Sequence, residues 1–212
     1  MIESIEWVVE SSFKNDLLQI LRRINRNEFV MFLVDDDVVF RHFADASVLE
    51  VFSDAHLFMS TRCSVRYSKG PLPRFLTSNG YLEWLWNYSP DQDTGWNYPF
   101  SLDGNVYART YLLAFLSSMK FKAPNSLERV MYENRFDASV LSRPKALALR
   151  EAIVFSNPLN KVQTEWETWH GDVSAKECND KYLQGFTIDN ECLYSSVPHD
   201  YHHLVSPTWL RE

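Results

Sequence analysis

The stretch EFVMFLVDDDVVFRHF, residues 28–43, carries six apolar residues, Phe29 to Val34, straight into three adjacent carboxylates, Asp35, Asp36 and Asp37. Like charges side by side are disfavoured unless water or a cation compensates them, so the triad calls for a partner. The apolar run shows no polar alternation. It therefore reads as a central strand covered on both faces, as in parallel α/β sheets, with the acids at its carboxyl end. Open α/β sheets bind ligands outside the carboxyl ends of their strands, which makes the position of the triad more informative than its composition. On extended backbone Asp35 and Asp37 project to one side and Asp36 to the other. Two carboxylates on one side suit Mg2+ or Mn2+. These cations favour oxygen ligands, and Mg2+ is often held by one or two carboxylates with water and phosphate oxygens completing its shell. An acidic turn that binds nothing is the plain alternative.

Working outward, VVESSFKNDLLQILRRINRN predicts a helix leading into that strand. Ser12 stands at the N-cap, Leu17, Ile20, Leu21 and Ile24 form an apolar stripe, and Arg22, Arg23 and Arg26 lie where a helix C-terminus favours cations. Downstream, LEVFSDAHLFMSTRCS predicts a short helix and a strand. The aromatic segment from 71 to 105, punctuated by Pro and Gly, predicts irregular structure. VYARTYLLAFLSSMKF and SLERVMYEN predict helices, EAIVFS a short strand, and VSAKECNDKYLQG a late helix capped by Ser174 and stopped by Gly185. The expected fold is α/β, a mixed, mainly parallel central sheet flanked by helices. One domain spans 1–212, with 1–43 forming a strand-helix-strand unit that ends in the acidic triad.

Composition narrows the function. At 212 residues, 45% hydrophobic and 15% aromatic, the chain is long enough to bury a core as one domain. A net charge of −7 leaves no basic footprint for nucleic acid. Three cysteines, Cys63, Cys178 and Cys192, without a C-x-x-C pair argue against a disulfide framework and a structural zinc, and point to a reducing cytoplasm. The acidic N-terminus lacks signal-peptide character and no apolar run reaches membrane-span length, which still allows work at a membrane surface on a lipid-linked substrate. Among rival metal sites, an aspartyl phosphohydrolase would place Thr where Val39 stands. DQDTGW lacks the Gly and Glu of a calcium-binding EF-hand loop.

FLVDDDVVF resembles the D-x-D region of nucleotide-sugar-dependent glycosyltransferases of the GT-A fold. SVRYSKG, NYPFSLDGNVY, APNSLE and SNPLNKVQ, in this order, resemble a bacterial glycosyltransferase-like group within that class. The resemblance spans residues from about 10 to about 165 and implies that Mn2+ or Mg2+, held by Asp35 and Asp37, binds the diphosphate of a sugar nucleotide. It puts Asp36 nearer the donor's ribose or sugar, and makes 44–212 the half that meets donor and acceptor. GT-A proteins usually begin with a βαβ unit for the nucleotide base, whereas IEWVVESS here resembles their third strand. The resemblance therefore implies an N-terminally short domain: a fragment, a chain that works with another, or one that no longer transfers sugar.

The activity implied is transfer of a sugar from a nucleoside diphosphate donor to a glycan or lipid-linked acceptor, in the cytoplasm or at the inner face of the membrane. A non-catalytic carbohydrate- or nucleotide-binding remnant and a metal-dependent phosphoester hydrolase are the alternatives. Glu128 sits just inside a helix start, where the dipole alone favours an acid. Resemblance makes it the base that deprotonates an acceptor hydroxyl. Asp103, before Gly104, is a turn residue or a second catalytic acid that binds sugar hydroxyls. Arg66 is a surface cation or a phosphate ligand of the donor. Trp84, Trp86, Tyr88, Trp96, Tyr98 and Phe100 pack a core or offer a stacking platform. His199, His202 and His203 belong to a solvated terminus or send one imidazole to the metal.

Overall fold

The computed structural model describes residues 5–43, 47–66, 71–77, 80–88, 94–159, 170–195 and 202–211. Its centre is a five-stranded sheet in the order β1 (Phe29–Met31), β5 (Asn105–Ala108), β3 (His56–Ser60), β6 (Lys145–Leu149), β4 (Tyr81–Leu85). β1–β5, β5–β3 and β6–β4 pair antiparallel, and only β3–β6 pairs parallel. The fold is α/β with a mixed sheet flanked by helices, as expected. The expectation of a mainly parallel sheet is corrected. β1, β3 and β6 run one way, but β5 and β4 are interleaved against them.

The acidic stretch also departs from expectation. β1 is a three-residue edge strand, not a central one. Its uniform apolar letters hide a period of two: Val30, Phe32 and Val34 pack on the main core, while Met31 and Leu33 are 41% and 46% exposed. The central strand is β3, flanked by β5 and β6 and buried at every position.

The main core fills one face of the sheet. It receives Leu18 and Leu21 of α1 (Phe13–Arg23), Leu112 and Leu116 of α3 (Arg109–Ser117), and Leu127 and Met131 of α4 (Pro124–Glu133). Ala146 and Ala148 of β6 point into this core, beside the crossed indoles of Trp84 and Trp96, whose centroids are 5.0 Å apart. On the other face Met59, Val106 and Leu147 form a smaller cluster with Val48 and Leu49 of α2 (Ser47–Glu50), Phe52, and the strand residues Phe29, Tyr81 and Leu149. α1 begins after Ser12 as expected, but the Asp16 carboxylate caps it, accepting from the backbone N–H of Ser11 and Ser12. At the other end of α1, the Arg109 guanidinium donates to the carbonyls of Leu21 and Arg22.

Two further expectations fail locally. The helix predicted over VYARTYLLAFLSSMKF yields its first residues to β5, with α3 starting only at Arg109, and ends at Ser117, before the last four predicted residues. The aromatic segment contains β4, where Leu82 and Trp84 face the main core and Tyr81, Glu83 and Leu85 the other side. Residues 5–10, resembling a third strand, are exposed, form no regular element and belong to no sheet. The remaining elements among the described residues are α5 (Ala138–Leu141), the ribbon of β2 (Asp37–Val39) with β7 (Val154–Ser156), α6 (Ala175–Leu183), α7 (Asn190–Ser195), and the antiparallel pair of β8 (Phe186–Ile188) with β9 (Trp209–Arg211). α6 is capped by Ser174 and stopped at Gly185, as its sequence predicts. No disulfide joins the three cysteines, and among the described residues no helix is long and apolar enough to cross a membrane.

Candidate functional site

Because β5 runs against β1 and β3, the carboxyl ends of β1 and β3 and the amino end of β5 share one edge of the sheet. After β1 the chain turns at Asp35 and Asp36, so the alternation of extended backbone does not apply to the triad. The turn is closed twice: Asp37 N–H donates to the Val34 carbonyl at 3.1 Å, and Val34 N–H donates to the Asp37 carboxylate at 3.0 Å. The second Asp37 oxygen accepts from the Ser156 hydroxyl at 2.8 Å, across the β2–β7 ribbon. Asp36 is half-buried and its carbonyl accepts from Asn157 N–H at 2.7 Å, while Asp35 is exposed.

From the end of β3, Thr61 and Arg62 are buried. The Arg62 guanidinium donates to the Asp103 carboxylate at 2.5 Å, their side chains being 10% and 20% exposed. Asp103 is held by its turn. Its N–H donates to the Ser101 hydroxyl, and Gly104, at φ +78°, donates to the Phe32 carbonyl at 2.8 Å and accepts from the Thr61 hydroxyl at 2.7 Å. A Cβ at Gly104 would meet Thr61 Oγ1 at 2.6 Å, so this close approach needs glycine on two counts.

Glu128 enters from α4. The Ser126 hydroxyl accepts from Lys122 and Ala123 N–H, both at 3.0 Å, and so ties the entry of the chain to the first turn without Glu128. Glu128 instead accepts from Leu102 N–H and the Tyr98 hydroxyl. Tyr98 in turn stacks on Tyr132 with centroids 4.9 Å apart.

Asp36, Asp37, Asp103 and Glu128 therefore share one electrostatic neighbourhood around Arg62. Burial, then the Asp103 charge, pushes Asp37 up to about 7 against the pull of Val34 N–H, Ser156 and Arg62. Burial and Asp103 likewise push Glu128 up to about 7. Asp36 is raised by burial, Asp103 and Asp35. Burial works against the Arg62 charge, but Asp103, Asp37 and Glu128 outweigh it and hold the guanidinium protonated. Four acids and one cation offer proton-accepting capacity and oxygen ligands at a strand edge, the groups that grip a cation, a phosphate or sugar hydroxyls. Among the described residues, no three His, Cys, Asp or Glu side chains converge closely enough to hold a metal by themselves.

Arg66 lies elsewhere, exposed and paired with Glu151 at 2.9 Å; Glu151 also pairs with Arg41, beyond the far end of the β2–β7 ribbon from Asp37. Trp84, Trp86, Trp96 and Phe100 are buried in the core, leaving Tyr88 and Tyr98 half-exposed. His202 bridges to Ser156 through the backbone, and His203 N–H donates to the Ser156 carbonyl while its ring packs edge-on to Phe155. His199, Asn160, Gln163 and the first half of DQDTGW lie outside the described residues. Arg62 and Ser156 are the members of this neighbourhood that sequence reasoning passes over. Arg62 carries a signal, since it follows the carboxyl end of the buried strand HLFMS. No protein-family model, no curated protein and no solved structure matches the chain.

Proposed function

We propose that this chain is a metal-dependent glycosyltransferase domain that moves a sugar from a nucleoside diphosphate donor to a hydroxyl of a glycan or lipid-linked acceptor. The observation that supports this most is the gathering of Asp36, Asp37, Asp103 and Glu128 around buried Arg62 at the carboxyl edge of β1 and β3. Asp35 and Asp37 would hold Mn2+ or Mg2+, with water and phosphate oxygens completing the shell, and Asp36 would lie nearer the donor's ribose or sugar; the Asp103 charge that helps burial raise Asp36 and Asp37 is charge that a cation there would offset. When bound, the cation offsets the charge that develops on the diphosphate as its bond to the sugar breaks.

The chain's own residues do the rest. Glu128, tuned to about 7, accepts the proton of the acceptor hydroxyl, since a base works best when its pKa lies near the operating pH. Tyr98 and Leu102 N–H fix the direction of that carboxylate. Asp103, braced by Arg62, receives sugar hydroxyls with its orientation already set. This chemistry belongs in the cytoplasm or at the inner face of the membrane, where nucleotide sugars and lipid-linked acceptors meet.

A non-catalytic binding module is the second reading. It is favoured by Asp37, whose two oxygens already accept from Val34 N–H and Ser156. Calorimetric titration of Mn2+, with and without UDP or GDP, into the chain and into Asp35→Ala/Asp37→Ala tests the proposal. Nucleotide binding that needs both the metal and the acids is expected. A folded chain that binds no nucleotide overturns the transferase, and binding without turnover of any donor sugar, indifferent to Glu128→Gln, leaves the module.

A further inference from the structure

At the amino end of β3, the opposite end from the carboxylate neighbourhood, Ser53, His56 and Glu83 form a chain of hydrogen bonds. Ser53 is exposed in the turn before β3, His56 is buried as the first residue of that strand, and Glu83 stands half-buried on β4. The Ser53 hydroxyl lies 3.0 Å from His56 Nδ1, and His56 Nε2 lies 2.9 Å from Glu83 Oε1. An accessible hydroxyl within reach of an imidazole whose far nitrogen is held by a carboxylate is the arrangement that activates serine, whatever the fold.

The backbone settles the tautomer. Ser53 N–H donates to Nδ1 at 2.9 Å, and a backbone N–H cannot accept, so the ring proton sits on Nε2 and is donated to Glu83. The Ser53 hydroxyl can then only donate to Nδ1, the direction in which a general base draws its proton. Burial holds the imidazole below its ordinary range, which keeps it neutral and able to accept, while Glu83 pulls the other way and stabilises the imidazolium once it forms. Lys145 Nζ donates to the same Glu83 oxygen at 3.0 Å and fixes the carboxylate from β6.

Donors for an oxyanion stand beside the hydroxyl. Ala55 N–H approaches Ser53 Oγ at 3.4 Å, a long contact, and among the described residues Asp54 N–H has no acceptor. Backbone N–H groups next to a nucleophile are well placed to meet the charge that develops on a carbonyl oxygen. The surface nearby is apolar. Val51, two residues before Ser53, is 39% exposed, and Leu85, in the same cross-strand row as Lys145 and His56, is 42% exposed.

We infer that Ser53 is a nucleophile, activated by His56 and held in line through Glu83, for acyl transfer from small apolar carboxylic esters. The Ser53 hydroxyl proton passes to Nδ1 as Oγ bonds to the acyl carbon; the ester C–O bond then breaks and the leaving alcohol takes that proton. Water repeats the two steps, frees the carboxylic acid and restores the serine. The inference does not rest on the sugar-transfer reading, since the two sites lie at opposite ends of β3 and share no residue.

Reaction of the full chain with a fluorophosphonate, located by mass spectrometry, and with p-nitrophenyl acetate tests it. An adduct should form on Ser53, and p-nitrophenolate should be released; both should vanish in Ser53→Ala and persist in Glu128→Gln. His56→Gln should slow labelling by about a hundredfold or more, the contribution of a general base. His56 and Glu83 also join β3 to β4, so Glu83→Gln, which keeps the shape of the side chain, is the second variant. It should slow labelling and move the midpoint of its pH profile downward, because it removes the anion that raises the imidazole against burial and Lys145. A Glu83 that served packing alone would leave both unchanged. Two outcomes overturn the inference: no adduct on Ser53 in the folded wild type, or labelling at the wild-type rate in a folded His56→Gln or Glu83→Gln. Either would make the three residues a pin between β3 and β4. An adduct on another residue, lost in Glu128→Gln, would assign the reactive group to the carboxylate neighbourhood and also overturns it.

Discussion

Glu128 links burial to pH at the scale of one side chain. Its folded-state pKa is raised from the ordinary 4.5 to about 7, first by burial and then by Asp103. In the window between those values the folded chain holds a proton that the unfolded chain has released. Stability contributed by the neutral carboxyl is therefore present below the window and is lost as pH rises through it. Asp36 and Asp37 are shifted in the same direction, so the chain should melt at progressively lower temperature from about pH 4.5 to about pH 7. Glu128→Gln cannot ionise, yet its amide oxygen can still accept from Tyr98 and Leu102 N–H. It should flatten part of that slope and melt above wild type at pH 8, followed by circular dichroism. A variant that keeps the whole slope would show the Glu128 carboxyl to be solvated in the folded state.

Also at this scale, sequence reading finds the acids of the neighbourhood but settles on Arg66 as the cation, whereas Arg62 is the guanidinium beside them. Both stand in the same loop after β3. The difference is four residues of backbone path, and only the depth at which HLFMS ends, unreadable from composition, decides which guanidinium is inside. Ser156 is missed for a related reason. Its meeting with Asp37 depends on a ribbon between β2 and β7, segments separated by more than a hundred residues.

Elements were legible where one period governs them. α1 carries a helical stripe and α6 its cap and stop in their letters, and both form, as does α4 over SLERVMYEN. β1 and β4 were obscured by opposite causes. In β1 exposed positions are filled by Met31 and Leu33, so an edge strand looks central; in β4 the alternation of Leu82 and Trp84 is masked by the aromatic residues that flank it. The turn between them and β5 has a sharper signature, Asp103-Gly104. At Gly104 a side chain would face both a positive φ and contacts at 2.6 Å to Thr61 and 3.3 Å to Val154. At Gly185, φ +80°, nothing lies within 4 Å. Gly185→Ala should thus cost about 1 kcal/mol from backbone conformation alone, and Gly104→Ala clearly more, about 2–4 kcal/mol, because the packed edge must also move. Urea unfolding of the two variants gives the comparison. Equal losses would mean that the Asp103–Gly104 turn is free to shift, and with it the brace on Arg62.

For the molecule as a whole, strands and helices in sequence were enough to predict an α/β fold, but strand direction was not. Whether a strand enters the sheet parallel or antiparallel depends on how the chain crosses between edges, and NVYA of β5 looks in sequence like the start of α3. The same long-range geometry brings the end of the chain back to the acidic turn. Asn157, buried beside that turn, donates to the Val205 carbonyl at 3.1 Å and accepts from Val205 N–H at 2.9 Å, while His203 N–H donates to the Ser156 carbonyl. Residues 202–205 are thus strapped along β7, on the strand that also presents Ser156 to Asp37. Removing one side chain should loosen the strap without unfolding the sheet, since these bonds join a terminal segment to an outlying ribbon and not to β3 or β6. Asn157→Ala should accelerate amide exchange across 202–206 by roughly tenfold or more, the loss of about 1–2 kcal/mol of local hydrogen bonding, while β3 and β6 amides keep their protection. Faster exchange in β3 and β6 to the same degree would instead make the strap part of the cooperative core, and the acidic turn would then be only as stable as the whole domain.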